Sequence, residues 1–208
     1  MCTNTLIKIK MANNCWNWVR ITGCKSSLDR IESKFKKYDS TNWFTEFGDI
    51  VLEKKTREYE NQPFEFYYQY GTKWWDIEMV RDSDDALVIS GDTAWSPPLK
   101  LMKRVSRRYR VEVLHEFEEP GCDFAGVHTY KNGEVIDQKD YTYDEYRYID
   151  NYESWWDDMI DRINDYSSDS WEEFVEDFID DSLLNIISSK DLKELKDEFN
   201  KKIKNEKV

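Results

Sequence analysis

Residues 71–98, GTKWWDIEMVRDSDDALVISGDTAWSPP, constrain the fold more tightly than any other stretch of this sequence. Trp75, Ile77 and Met79 alternate with Trp74, Asp76 and Glu78, the period-two pattern of a strand with one buried face. Asp82-Ser83-Asp84-Asp85 is short and polar, as a hairpin connection requires. Ala86 to Ser90 is an apolar run with β-branched Val88 and Ile89, suited to a central strand. The run stops at Thr93-Ala94-Trp95-Ser96-Pro97-Pro98. Two prolines cannot continue a ladder, but the first suits the opening turn of a helix capped by Ser96.

The flanking segments extend this pattern. Cys15, Asn17, Val19 and Ile21 alternate with Trp16, Trp18, Arg20 and Thr22, which predicts a strand ended by Gly23. Ser26 or Ser27 is placed to cap a helix with Leu28, Ile31 and Phe35 on one face, broken at Asp39-Ser40-Thr41-Asn42. Residues 43–70 read as a long excursion, with a short element at 47–52, Gln62-Pro63 as a separator and an aromatic strand at 64–70. After Pro98 comes a basic helix. Leu99, Met102 and Val105 form its apolar side, and Lys100, Lys103, Arg104, Arg107 and Arg108 lie elsewhere. Val111, Val113, His115 and Phe117 share one face of the next strand, and Glu119-Pro120-Gly121 turns the chain. Strands at 124–130 and 134–137 flank Asn132-Gly133, a strong two-residue hairpin signal. The order strand, helix, strand, strand, helix, strand is the split βαβ pattern of ferredoxin-like folds, here followed by an added hairpin.

The C-terminal region changes character. Tyr152, Trp155, Trp156, Met159, Ile160, Ile163 and Tyr166 follow helical spacing throughout. Ser170 with Glu173 forms a capping box that opens a second helix carrying Trp171, Phe174, Val175, Phe178, Ile179, Leu183 and Ile186. Ser188-Ser189 separates a third, with Leu192, Leu195, Phe199 and Ile203. Such stripes need burial, so the helices are expected to pack on each other and on the sheet. The expected class is therefore α+β. A ferredoxin-like domain spans 11–139, an acidic helical region spans 140–208, and residues 1–10 form an extension ahead of a natural-looking start at Met11.

Between Asp140 and Asp181 sixteen acidic residues face only Arg147 and Arg162, a net charge of −14 in a chain whose total is −13. One block makes the protein acidic, and the remainder is nearly neutral. That balance argues against general binding of nucleic-acid phosphates and toward a solvated face or a basic partner. No run of 18 apolar residues occurs, so no membrane span is expected. The first ten residues are too short and polar for a signal peptide. Four cysteines without regular spacing (Cys2, Cys15, Cys24, Cys122) fit reduced thiols in a cytoplasmic protein.

Asn14-Cys15-Trp16-Asn17, Ile21-Thr22-Gly23, Gly71-Thr72-Lys73-Trp74, Thr93-Ala94-Trp95-Ser96-Pro97-Pro98 and Glu119-Pro120-Gly121, in this order, resemble the YubB-type (Api-like) ferredoxin-like family of bacteriophages and plasmids. The resemblance covers about residues 11–136 and leaves the acidic tail outside the pattern. It implies a ferredoxin-like core and a mobile-element origin. It implies no reaction, and a fold alone supplies none.

No established catalytic pattern stands out. His115 and His128 are the only histidines; Glu116, Glu118, Glu119, Cys122 and Asp123 lie near them, but no HExxH or CxxC spacing supports a metal or acid–base site. Cys15 shares a face with Val19 and Ile21 and reads as a small buried residue. Seven glycines and no P-loop, GxGxxG or GxSxG leave little scope for a phosphate cradle. No catalytic, cofactor-binding or metal residue is therefore assigned. Trp16 and Trp18 could stack bases as the aromatics of RNA-binding sheets do, but the RNP1 pattern is missing, and packing under the C-terminal helices is the plainer reading. The basic helix reads as a solvated face or an internal charge match.

The residues expected to act are Asp157, Asp158, Asp161, Asp165, Glu172, Glu173, Glu176, Asp177, Asp180 and Asp181. On helices they approach the charge density of DNA, about one charge per 1.7 Å of axis. The expected function is that of a phage-encoded, non-enzymatic protein of the host cytoplasm. It blocks a host factor with a basic surface, such as a nuclease or CRISPR effector. The alternative is a nucleotide-sequestering protein, or a binder of single-stranded nucleic acid through the sheet aromatics.

Overall fold

The computed structural model describes residues 14–35, 71–72 and 77–206. The proposed N-terminal extension, the break at 39–42, the excursion at 43–70 and the Trp74-Trp75 pair lie outside the described residues. The chain forms two compact units, Met1–Asp140 and Tyr141–Val208.

Among its described residues the first unit forms a six-stranded sheet in the order β2-β3-β1-β4-β5-β6. The elements are β1 (Asn14–Thr22), α1 (Lys25–Phe35), β2 (Glu78–Ser83), β3 (Ala86–Ala94), α2 (Leu99–Tyr109), β4 (Glu112–Glu119), β5 (Phe124–Lys131) and β6 (Glu134–Tyr141). β3 lies between β1 and β2, and β1 lies between β3 and β4, so each helix crosses over one intervening strand. That is the split βαβ core; β5 and β6 extend it. Val19 faces Ile89 and His115, and Ile21 faces Leu87 and Val113, so all three central strands bury the same face. Leu28 and Ile31 of α1 pack on that face with Leu101, Met102, Val105 and Tyr109 of α2.

The helix starts differ from the sequence expectation. Ser27 lies inside the first turn of α1, its hydroxyl donating to the Tyr109 carbonyl at 2.8 Å, while the Cys24 carbonyl accepts from Ser27 N and Leu28 N. Ser96 does not cap α2 either: it donates to the Gly71 carbonyl at 2.6 Å, and the helix starts at Leu99 after Pro98 without a side-chain cap. Each hydroxyl is claimed by a partner distant in sequence. β2 continues through Ser83, so the hairpin turns at Asp84-Asp85, and β6 runs past Asp137 to Tyr141. Asn132 and Gly133 both have positive φ (53° and 83°), as a two-residue hairpin turn needs. The Gly133 N–H donates to the Ser106 hydroxyl at 3.0 Å, and a Cβ at 133 would lie 2.9 Å from Cβ of Arg107.

Polar groups continue the buried face beyond the apolar cluster. Asn17 Nδ2 donates to the Cys15 carbonyl at 2.7 Å and the Thr93 hydroxyl at 3.0 Å. Its Oδ1 lies 2.9 Å from His115 Nε2, so Nε2 carries the imidazole proton and buried Nδ1 is left without a partner. Opposite His115 on β5 stands His128, bonded to Tyr130 at 3.2 Å and Asp140 at 2.7 Å. Burial, and then the neighbouring charge of His128, hold the His115 imidazole down to about 3.

The second unit comprises α3 (Tyr143–Asp150), α4 (Tyr152–Asp165), α5 (Trp171–Phe178), α6 (Asp181–Ile186) and α7 (Ser189–Glu206). Trp155, Met159, Ile163, Phe174, Ile179, Leu183, Leu195 and Phe199 form its core. α3 was not expected; the Thr142–Glu145 capping box starts it. The second expected helix is two, because the Asp180 carboxylate accepts from Leu183 N at 2.7 Å and restarts the chain as α6. Both arginines of the acidic block turn onto neighbouring helices. Arg147 reaches Asp158 at 3.1 Å and the Ser154 carbonyl and hydroxyl at 2.8 Å. Arg162 reaches Asp144 at 3.1 Å and Asp158 at 2.8 Å.

Two outcomes follow from these contacts. His115 is neutral in the fold but takes a proton when unfolded, so its contribution to stability is present above about pH 6.5 and is lost as pH falls toward 3. Urea midpoints should drop between about pH 7.5 and about pH 4, and His115→Gln should flatten that dependence; the same slope in both proteins contradicts the assignment. Asp158→Asn should cost the helical unit about 1–2 kcal/mol, because it leaves Arg147 and Arg162 without their shared carboxylate, while Asp161→Asn leaves thermal unfolding unchanged. Calorimetry of both variants checks this.

Candidate functional site

The ten carboxylates singled out from the sequence divide into two groups. Asp157, Asp161 and Asp165 are exposed at four-residue intervals on α4, away from the buried stripe of Trp155, Met159 and Ile163. Successive members rise about 6 Å along the helix axis. Glu176 of α5 and Asp181 of α6 are also exposed. None of these five carboxylates has a hydrogen-bond or ion-pair partner among the described residues.

The other five are engaged within the unit. Asp158 is half-buried between Arg147 and Arg162, and its four-residue spacing from Arg162, acid first, is the signal in the sequence that it pairs internally. Glu173 accepts from the Ser168 hydroxyl at 2.6 Å. Asp177 accepts from the Tyr166 phenol at 2.7 Å, and that hydrogen bond leads the effects that push the phenol up to about 12. Glu172 lies 3.9 Å from Lys196 of α7, and Asp180 is spent on its cap. Glu172, Glu173, Asp177 and Asp180 stay exposed and charged, so the carboxylates without a partner form a ridge on α4, with outliers on α5 and α6, inside a wider acidic surface.

The sheet offers less. Trp16 stands between Asp92 and Glu118 in the strand register, and Trp18 between Ser90 and Glu116. Trp16 is 38% exposed. Carboxylates beside both indoles repel phosphate, which works against stacking of a nucleic-acid strand there. His115 and His128 face each other across β4 and β5 and are bound to Asn17, Tyr130 and Asp140, whereas Cys122 is exposed on the turn after β4. Among the described residues no three His, Cys, Asp or Glu side chains converge as metal ligands would. Cys15 is buried, and burial leads the effects that push its thiol up to about 12.

Cys24 is a feature the sequence reading missed. It is exposed at the N-terminus of α1, and Ser26 and Ser27 hydroxyls lie 3.4 and 3.3 Å from its sulfur, bringing the thiol down to about 7. The Ser27 proton is committed to the Tyr109 carbonyl, so Ser26 is the hydroxyl that supports a thiolate. A cysteine directly before a helix that opens with serines is the signal for it.

Comparison with known proteins bears on the sheet. Residues 69–158 match the model of the ferredoxin-like domain in Api92-like protein, a span from the approach to β2 into α4. Over 73 residues the chain is 30% identical to the uncharacterized protein YubB of Escherichia coli (strain K12). That match covers 33% of this chain and 50% of the relative, so the chain spans about half the length of the curated relative it matches. The crystal structure of a protein Api92 from Yersinia pseudotuberculosis superposes with a TM-score of 0.44 at 12% identity, over 63% of this chain and 98% of that one. The domain match at 69–158 and the split βαβ sheet together show a ferredoxin-like domain, similar to that of YubB- and Api92-type proteins.

Proposed function

We propose that this protein works by binding, without catalysis, and that its helical unit presents a fixed row of carboxylates to the basic groove of a nucleic-acid-handling protein. The Asp157, Asp161 and Asp165 ridge carries this reading: it is exposed and without partners among the described residues, while Arg147 and Arg162 are turned inward onto Asp144, Asp158 and Ser154. The helices beneath it are held by a common core, so docking the ridge requires little ordering. A row of like charges on a rigid support raises the encounter rate with a cationic groove and excludes acidic partners. Binding rather than chemistry fits the first unit as well, since His115, His128 and Tyr130 are buried and bonded within the sheet. The partner class includes host nucleases and CRISPR-type effectors, whose grooves are shaped for phosphate.

The test compares wild type with a variant in which Asp157, Asp161 and Asp165 become Asn, Glu176 becomes Gln and Asp181 becomes Asn. Asp158, Glu173, Asp177 and Asp180 stay, which keeps the arginine contacts and caps intact. Wild type should retain basic nucleic-acid-binding proteins from a bacterial lysate and release them to competing duplex DNA or to salt raised from about 0.15 to about 0.5 M. The variant should retain them at least tenfold less (about 1.4 kcal/mol). Equal capture by both proteins, or capture of nothing basic by wild type, removes the proposal.

A further inference from the structure

β6 is an outer strand of the sheet among the described residues, at one end of the order. Every residue from Glu134 to Asp140 is exposed, so neither face of the strand is covered. Val135 is 40% and Ile136 55% exposed, although an apolar edge strand invites pairing with another chain. Asp137 and Lys139 carry opposite charges on either side of Gln138, and neither has an ion-pair partner among the described residues. By strand alternation Val135, Asp137, Lys139 and Tyr141 point to one face. Asp140, on the other, reaches back to His128.

We propose that a second copy of this chain covers this edge by antiparallel β6–β6 pairing centred on Gln138. In that register Asp137 of each copy stands opposite Lys139 of the other, and Val135 opposite Tyr141. One face then carries two reciprocal ion pairs flanked by two reciprocal aliphatic–aromatic pairs, the cross-strand combinations that stabilise a sheet. The neighbouring symmetric registers lose this match. Centring on Asp137 sets that residue against its own copy and Glu134 against Asp140; centring on Lys139 sets two ammonium groups together. A register centred on Gln138 also brings like faces together, so the two sheets continue as one with their helices on a common side.

Sedimentation of the full chain from about 1 µM to about 1 mM tests the proposal, with circular dichroism to confirm that each variant is folded. Wild type should show a concentration-dependent dimer. Asp137→Lys and Lys139→Asp should each weaken self-association about tenfold or more, because both ion pairs become repulsive. Mixing the two single variants should restore association between unlike copies, and the double variant Asp137→Lys/Lys139→Asp should regain the homodimer. A wild type that stays monomeric throughout overturns the proposal, as does a dimer that survives both single variants or a mixture of them that fails to associate.

Discussion

Asn17 sits on the central strand with no solvent exposure and bonds to three strands. Its amide nitrogen serves β1 itself through the Cys15 carbonyl and β3 through the Thr93 hydroxyl, and its oxygen serves β4 through His115. A one-residue slip of β1 would carry Trp16 and Trp18 into the helix-covered face and strand every one of these groups. Unpaired buried donors and acceptors cost about 1–3 kcal/mol each, so the amide fixes a register that the apolar pattern of Val19 and Ile21 alone would fix less firmly. The histidine pair extends the same constraint to β5, where His128 continues it to Tyr130 and Asp140.

The helical unit resolves its charge by direction. Its acidic block has only two arginines, and both are spent between helices, where they hold α3 to α4 through Asp158 and Ser154 and through Asp144. Lysines of α7 offset carboxylates on their own helix and on α5, as Lys190, Lys201 and Lys196 show beside Glu194, Glu198 and Glu172. Along the outer side of α4, Asp157, Asp161 and Asp165 are left with no cationic partner among the described residues. Packing and charge separation are two outcomes of one arrangement of side chains.

The strands were legible because their signal is local. Val111, Val113, His115 and Phe117 alternate, and Asn132-Gly133 has the chemistry of its turn, so both could be read without knowing what packs on them. Helix starts were less legible because a serine hydroxyl looks the same whether it caps or reaches elsewhere; Ser27 goes to Tyr109 and Ser96 to Gly71. Asp180 misled in the other direction, since a capping carboxylate inside an apolar stripe reads as one more surface acid. For the candidate surface, charge and helical phase located the ridge. The fate of Asp158 depended partly on Arg147, eleven residues away on another helix, and such a contact has no periodic signature.

The β5–β6 turn lies against α2 so closely that a Cβ at position 133 would meet the side chain of Arg107. The backbone there is also in the left-handed region, and its N–H is held by Ser106. These conditions tie the turn to the helix face below it. Among sequences that share this turn and helix, positions 106, 107 and 133 should not vary independently: a larger residue in the turn demands a smaller one on the helix, and loss of the hydroxyl demands another acceptor for the turn. The hairpin and the second crossover helix, far apart in the chain order, thus form a single unit of inheritance.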